Sequence, residues 1–187
     1  MELCSVLNAV IRDDVVEEIE AAIIIFRSIN SRRIRRGKVS AGINAQSYPP
    51  GGETWRGGGF RREHRAFFER MIGKKYRVPG FLATSLRPEI AAAFAFKTNM
   101  ANPSHPSAVW RITFDPRGKK NPDYRVRHMT LVSKTLTGSE NEYLFAPYSV
   151  FTLVSVKWSE DSAIKFSIRA ARDNKEEDEC LPLTPWY

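Results

Sequence analysis

The chain has 187 residues, of which 42% are hydrophobic and 27% are charged. This composition is that of an ordinary globular domain, and it excludes collagen-like, coiled-coil and largely disordered proteins. The 29 basic and 21 acidic residues give a formal charge of +8, which favours phosphate-bearing or acidic partners without choosing among them. Two cysteines, Cys4 and Cys180, exclude a disulfide scaffold and a four-cysteine zinc site.

The first 38 residues are predicted to form a helical appendage with a basic connector. Asp13 and Asp14 suit the start of a helix, and apolar residues follow at helical spacing as far as Phe26. The helix should end near residue 30. Between Arg27 and Lys38 no acidic residue separates the basic ones. We expect a solvated connector, and a contact with nucleic acid, lipid or another partner is the alternative.

The sequence predicts no membrane span, because no stretch approaches the roughly 20 apolar residues that a bilayer requires. The apolar run nearest the N-terminus, residues 21–26, follows a group of acidic residues, which is wrong for a signal peptide. We therefore expect a protein that works in the cytoplasm or is delivered into a host cell without a signal peptide.

Residues 39–172 are predicted to form the main domain, and residues 173–187 an exposed acidic tail. The hydrophobic pattern predicts an N-terminal helix and two helices inserted among short strands. The inserted helices cover residues 61–72 and 88–96, and the strands cover residues 53–56, 81–84, 108–114, 142–145, 151–158 and 163–170. Residues 57–59 are expected to end the first strand, and residues 97–107 to form a loop. This order predicts an α+β fold with a mixed or antiparallel sheet.

Several common chemistries lack their motifs in this sequence. The three histidines form no HExxH or other close metal-binding pair, and there is no GxxxxGK[ST] or GxSxG motif. The sequence therefore argues against a zinc hydrolase, a P-loop nucleotidase and an α/β-hydrolase.

Three other segments place reactive side chains at strand ends. Arg56 is followed directly by Gly57, and Thr84 and Ser85 end the strand before the second inserted helix. Glu140 and Glu142 are two residues apart, just before an apolar strand. On a regular strand they would share one face, and if the strand begins at Glu142 then Glu140 lies in the preceding turn. Either way the two carboxylates converge, and they can stabilise a cationic transition state and accept a proton. The alternative interpretation is a solvated acidic hairpin end.

In this order the three segments resemble the arginine-type mono-ADP-ribosyltransferases, whose signature is Arg…Ser-Thr-Ser…Glu-x-Glu. The resemblance covers roughly residues 42–156. It implies a split mixed β-sandwich with an N-terminal helix and inserted helices around an NAD cleft. It also implies a toxin-like or effector-like enzyme that transfers ADP-ribose from NAD to an exposed arginine of a protein acceptor, releases nicotinamide and needs no metal.

The resemblance also implies a role for each residue at the NAD site. Arg56 would bind the phosphate and ribose region of NAD, and Gly57 would let the main chain approach the nicotinamide amide. Thr84 and Ser85 would hold the catalytic glutamate by hydrogen bonds, although both residues also suit a helix N-terminus. The sequence departs from the signature at Ala83, where the family usually has its first serine.

The two glutamates have different roles in the resemblance. Glu142 would stabilise the oxocarbenium-like ribose that forms as nicotinamide leaves. Glu140 would deprotonate the incoming guanidinium, which is a poor nucleophile while it is charged. Residues 97–107 resemble the loop that covers NAD, and residues 129–139 resemble the loop that recognises the acceptor. Trp55 and Phe60 are candidates to flank a base of NAD, with core packing as the alternative for each.

Two other functions remain open at this stage. On the same fold, water as the main acceptor would make the protein an NAD glycohydrolase. A non-catalytic module could instead use the basic region between Arg27 and Lys38 to bind nucleic acid or an acidic partner. Nucleic acid is not favoured, because the acidic segment at Glu140 and Glu142 would repel a phosphate backbone.

Overall fold

The structure, a computed structural model, describes residues 10, 16–34, 48–132 and 142–185. The predicted basic connector lies outside these residues from position 35 onward, and so does Glu140. The second half of the predicted acceptor loop, residues 133–139, lies outside them as well.

The described residues form helices α1 to α3 and strands β1 to β8. The helices are α1 (Val16–Ile34), α2 (Arg65–Met71) and α3 (Pro88–Ala101). The strands are β1 (Glu53–Gly59), β2 (Lys75–Val78), β3 (Leu82–Ser85), β4 (Ser107–Thr113), β5 (Met129–Val132), β6 (Glu142–Phe145), β7 (Ser149–Lys157) and β8 (Ile164–Ala170). The order of helices among short strands confirms the α+β class that the sequence predicts.

All eight of these strands belong to one mixed sheet, in the order β2-β7-β8-β4-β1-β3-β6-β5. Strands β4 and β8 are parallel, and the other neighbouring pairs are antiparallel. In a flat sheet β6 and β7 would lie roughly 24 Å apart, since neighbouring strands are about 4.8 Å apart. Yet the rings of Phe145 in β6 and Phe151 in β7 are 5.1 Å apart. The sheet therefore folds over on itself and encloses one face as a sandwich core.

Aromatic side chains fill this core. Trp110 of β4 stacks on Phe166 of β8 at 4.9 Å and 7°, and Phe68 of α2 packs edge-on against the same Phe166 ring at 4.9 Å. All three residues are at most 1% exposed. Alternation along β4 and β8 puts their large apolar residues on the enclosed face, which is the period-2 pattern that the sequence shows.

Helices α3 and α1 pack on the sheet. Helix α3 lies over β1 and β4, with Ala91 and Ala95 buried. Helix α1 packs through Ala22 against Phe81 and Leu144, beside β3 and on β6. No described helix has the length and apolar character needed to cross a bilayer.

The C-terminal segment, residues 174–184, is attached to β2. The buried guanidinium of Arg77 donates hydrogen bonds to the carbonyls of Asn174, Glu177 and Asp178. The main chain of Arg77 accepts from the N–H of Thr184 and donates to the carbonyl of Pro182. The acidic side chains predicted to be exposed lie mostly at the surface, while their backbone caps the edge of the sheet.

Helix α1 continues to Ile34, although the sequence predicted an end near residue 30. Three further element boundaries were also predicted wrongly. The glycines 57–59 belong to β1 and do not end it, and α3 continues to Ala101, so that the loop expected over residues 97–107 is limited to residues 102–106. Residues 129–132, predicted to begin a loop, form strand β5. Strand β2 was not predicted. In each case a tertiary contact, the packing of a helix or the pairing of a strand, outweighs the local sequence signal.

Candidate active site

Arg56 lies where β1 and β3 separate. These strands share one register pair, Trp55 with Ser85, whereas β1 continues to pair with β4 as far as Gly59. The guanidinium of Arg56 crosses the gap, and its Nη1 donates to the carbonyl of Ala83 at 3.1 Å. A partly buried cation is therefore fixed at the opening between the two strands, where a fork of N–H donors suits phosphate oxygens.

Gly57 permits a close approach, as the sequence predicted, but the approaching backbone is that of helix α3. A Cβ atom on Gly57 would overlap the carbonyl oxygen of Ala91 and lie 2.9 Å from the nitrogen of Ala95. The close packing of α3 on β1 is thus sufficient to explain why residue 57 is a glycine. A main-chain contact between Gly57 and nicotinamide stays a prediction.

The hydroxyls of Thr84 and Ser85 point to opposite faces of β3. Thr84 is 3% exposed, and its Oγ1 donates to the carbonyl of Tyr143 at 2.9 Å. Ser85 is partly exposed, and its Oγ accepts from the N–H of Arg87 at 3.1 Å. Arg87 is the N-cap of α3 and has no side-chain cap, so Ser85 shapes the turn before the helix.

Glu142 is the first residue of β6 and is partly buried. Its register partner on β3 is Ser85, and its partner on β5 is Val132. Directly opposed residues project to the same face with Cβ atoms about 5 Å apart. Ser85 therefore shares the face of Glu142, and Thr84 does not.

Ala83, which stands where the signature has a serine, has both its carbonyl and its methyl group at this site. The carbonyl orients Arg56. The side chain lies two residues from Ser85, on the same face, opposite Leu144. The backbone of β3 thus links the cation of Arg56 to the strand that carries Glu142.

The two aromatic candidates have different surroundings. Phe60 is 1% exposed and packs against Phe68, Trp158 and Phe166 in the core, which supports the core interpretation. Trp55 is partly exposed and occupies the register position next to Ser85. The row Trp55–Ser85–Glu142 thus crosses β1, β3 and β6.

Arg111 is a neighbour of this row that the sequence reasoning did not single out. It is the register partner of Trp55 on β4, and its guanidinium carbon lies 5.8 Å from the centre of the indole. The sequence feature that could have identified Arg111 is its position on the polar face of a strand whose polar and apolar residues alternate. Within the described ranges, no group of three or more His, Cys, Asp or Glu residues is arranged to hold a metal ion.

Comparison with known proteins identifies the fold. The chain is similar to the ADP-ribosyltransferase Vis, a toxin of Vibrio splendidus, in its complex with the inhibitor M6 (TM-score 0.62, 15% identity, 89% of this chain and 66% of that chain). The agmatine complex of Vis matches with a TM-score of 0.52 and 16% identity over 81% of this chain and 59% of that chain. Exoenzyme S of Pseudomonas aeruginosa, bound to carba-NAD and human 14-3-3 protein beta, matches with a TM-score of 0.54 and 16% identity over 89% of this chain and 66% of that chain.

The chain thus has the fold of the ADP-ribosyltransferases, as the sequence resemblance implied. It spans about three-fifths to two-thirds of the length of these solved structures. No protein-family model and no curated protein matches the sequence.

Proposed function

We propose that the protein is a mono-ADP-ribosyltransferase that transfers ADP-ribose from NAD to the guanidinium of an arginine on a protein acceptor. One observation carries the proposal. Arg56, Ser85 and Glu142 are far apart in sequence, yet they lie on the neighbouring strands β1, β3 and β6, and the guanidinium of Arg56 donates to the carbonyl of Ala83 on β3. The fold is one that this chain shares with ADP-ribosyltransferases.

In the proposed reaction Arg56 binds the anionic pyrophosphate of NAD. The bond from Nη1 to Ala83 fixes the direction of its guanidinium, so little ordering is needed when NAD binds. The nicotinamide–ribose bond breaks with its electron pair going to the ring, and nicotinamide leaves as a neutral molecule. The carboxylate of Glu142 stabilises the positive charge that develops on the ribose.

The proposal that arginine is the acceptor rests on Glu140, which is a second carboxylate, and on the agmatine complex of the Vis toxin. The guanidinium must lose a proton before its nitrogen attacks the ribose carbon, and Glu140 is proposed to take it. The Vis toxin, which has the same fold, has been crystallised with agmatine, whose head group is a guanidinium. This supports an acceptor of the same chemistry here.

The direct test measures nicotinamide release and the labelling of an arginine-rich protein, with mass spectrometry of the acceptor peptides. Glu142→Gln should lower both by at least about 100-fold, because it removes the negative charge at the reacting centre. Glu69→Gln is the matched control, since Glu69 is an exposed carboxylate on α2 that pairs with Arg65. An absence of nicotinamide release by the unaltered chain with every acceptor would refute the proposal.

A second variant separates arginine transfer from NAD hydrolysis. Glu140→Ala should abolish labelling of agmatine and of arginine-rich protein while it retains much of the release of nicotinamide to water. If Glu140→Ala left both rates unchanged, Glu140 would not be the base, and the arginine acceptor would lose this support.

A further inference from the structure

Strands β4, β8 and β7 present a group of exposed cations on the side of the sheet that faces away from the core. Along β8, Lys165, Ser167 and Arg169 alternate with buried apolar residues and so point outward. Arg111 of β4 is the register partner of Ser167, and Lys157 of β7 is the register partner of Lys165. Paired residues project to the same side of a sheet. Four of these residues are exposed cations, and we call them the basic face: Arg111, Lys157, Lys165 and Arg169.

Most of the charge on the basic face is not neutralised by the described part of the chain. The Nε of Arg111 donates to Oε2 of Glu53 at 2.5 Å, but no described acid forms an ion pair with Lys157, Lys165 or Arg169. Lys157 and Lys165 are directly opposite each other on antiparallel strands, an arrangement in which like charges are destabilising. An anionic partner would relieve this repulsion.

The basic face adjoins the proposed active site. Arg111 is the register partner of Trp55 on β1, Trp55 is paired with Ser85, and Ser85 is paired with Glu142. Strand β8 is two strands from β1, so Ser167 is about 10 Å from Trp55. A folded protein of about 100 residues has a radius of gyration of about 13 Å. Such a protein can present an arginine at Glu142 and also lie over the basic face.

We propose that the basic face docks an acidic surface of the protein acceptor while the arginine of that acceptor lies at Glu142. The inference rests on the proposed function and adds to it the chemical class of the acceptor: a protein whose modified arginine is next to a surface rich in aspartate and glutamate. Complementary charge raises the rate of encounter and fixes the orientation of the partner. A phosphate backbone fits the combined surface less well, because its continuous negative charge would also meet the carboxylate of Glu142.

The size of the acceptor sets the expected kinetic signature. Agmatine is too small to reach both Glu142 and the basic face, so its labelling should not depend on docking. Loss of the basic face should therefore raise the KM for an acidic protein acceptor and leave kcat little changed. Raising NaCl from about 50 to about 300 mM should have the same effect in the unaltered chain, because salt screens exposed charges.

The test compares three acceptors of the full chain. One is agmatine, and the other two are versions of one small folded domain with a single surface arginine, which is surrounded by either glutamates or glutamines. The variant Lys165→Glu with Arg169→Glu should lower kcat/KM for the glutamate domain about 30-fold, since it turns attraction into repulsion. It should change the values for the glutamine domain and for agmatine by less than about threefold, and the agmatine value also shows that the variant is folded. Lys165→Gln with Arg169→Gln should give a smaller loss in the same direction.

The matched control is Arg70→Glu with Lys74→Glu, which makes the same change in net charge. Both residues are exposed at the end of α2, whose Phe68 packs on the enclosed face of the sheet. This control should keep the labelling of all three acceptors within about threefold.

Three outcomes would overturn the inference while nicotinamide release upholds the proposed function. The first is that the unaltered chain does not prefer the glutamate domain to the glutamine domain. The second is that the basic-face variants lower the labelling of both domains equally, or of neither. The third is that they abolish binding to RNA or to phosphatidylserine vesicles and leave the glutamate domain unaffected. If the unaltered chain released no nicotinamide with any acceptor, the proposed function would fail, and this inference with it.

Discussion

At the scale of single residues, the neighbouring hydroxyls of Thr84 and Ser85 on β3 have different roles, because successive side chains of a strand point to opposite faces. Thr84 is buried and bonded to the carbonyl of Tyr143. Ser85 accepts from the N–H of Arg87, which uses a lone pair and leaves its own proton to donate. Ser85 is also the cross-strand partner of Glu142. Of the two hydroxyls predicted to hold the glutamate, Ser85 is the one placed to do so.

We propose that the hydroxyl of Ser85 donates to the carboxylate of Glu142, so Ser85→Ala should lower kcat about tenfold with little change in the KM for NAD. Ser85→Thr should retain most activity, since it keeps the hydroxyl. Thr84→Val is the control: it should lower the free energy of unfolding by about 1 kcal/mol and leave kcat unchanged. Nicotinamide release and urea unfolding measure the two effects, and equal kcat losses at both positions would contradict the assignment.

A buried histidine gives a prediction about acid stability. Burial lowers the pKa of His128 to about 4, with Asp173 acting in the opposite direction and Arg77 in the same direction as burial. Among the described residues neither ring nitrogen has a hydrogen-bond partner, so the folded protein favours the neutral ring. The unfolded chain, with a pKa near 6.5, takes up the proton first as the pH falls.

The stability that depends on neutral His128 is thus fully present above about pH 6.5 and is lost as the pH falls toward 4. The loss amounts to about 3 kcal/mol. Urea unfolding from pH 7 to pH 4 should show this slope, and His128→Leu should reduce it. The control variant His105→Gln, which replaces a partly exposed histidine, should not reduce the slope. A slope that is unchanged in His128→Leu would show that other groups cause the acid sensitivity.

At the scale of elements, the contact between α3 and β1 explains the glycine-rich strand. Gly57 and Gly59 are on the face that meets α3, where added Cβ atoms would crowd Ala91 and Thr98. Gly58 is on the other face, and the nearest atom to its added Cβ is 3.8 Å away, on Trp110. The helix that follows Ser85 is thus packed directly on the strand that carries Arg56.

Gly57→Ala should lower the free energy of unfolding by about 3 kcal/mol or more, since the helix backbone cannot yield without moving away from the sheet. Gly58→Ala should change it by less than about 1 kcal/mol, because its Cβ enters ordinary contact. Urea unfolding of the two variants makes the comparison. Similar losses at both positions would show that α3 does not approach β1 as closely as described.

At the scale of the whole molecule, Arg77 of β2 connects the turn between β6 and β7 to the C-terminal segment, residues 174–184. Its guanidinium donates to the carbonyl of Tyr148, which has a positive φ of 60°, and to three carbonyls of residues 174–178. Lys75 adds an ion pair with Glu177 at 2.5 Å. The acidic tail, which looked separable in the sequence, is therefore held to the folded domain through its backbone.

Arg77→Met should cost about 3 kcal/mol of unfolding free energy, because several buried carbonyls lose their donor. Hydrogen exchange should show that the amide of Thr184, which is bonded to the carbonyl of Arg77, loses protection first. Arg87→Met removes an exposed ion pair with Glu89 and should cost little. Unaltered protection of Thr184 in Arg77→Met would mean that the segment is held by other contacts.

The α+β class, the strands with alternating apolar residues, and the three segments that carry Arg56, Ser85 and Glu142 could all be predicted from the sequence. This was possible because strand periodicity and motif order are local properties of the chain. The tertiary structure shows which of Thr84 and Ser85 shares a face with Glu142. It also shows why residue 57 is a glycine, and that Arg111 adjoins the row formed by Trp55, Ser85 and Glu142. These facts depend on strand register and on helix packing, which bring together residues from distant parts of the chain and leave no local trace in the sequence.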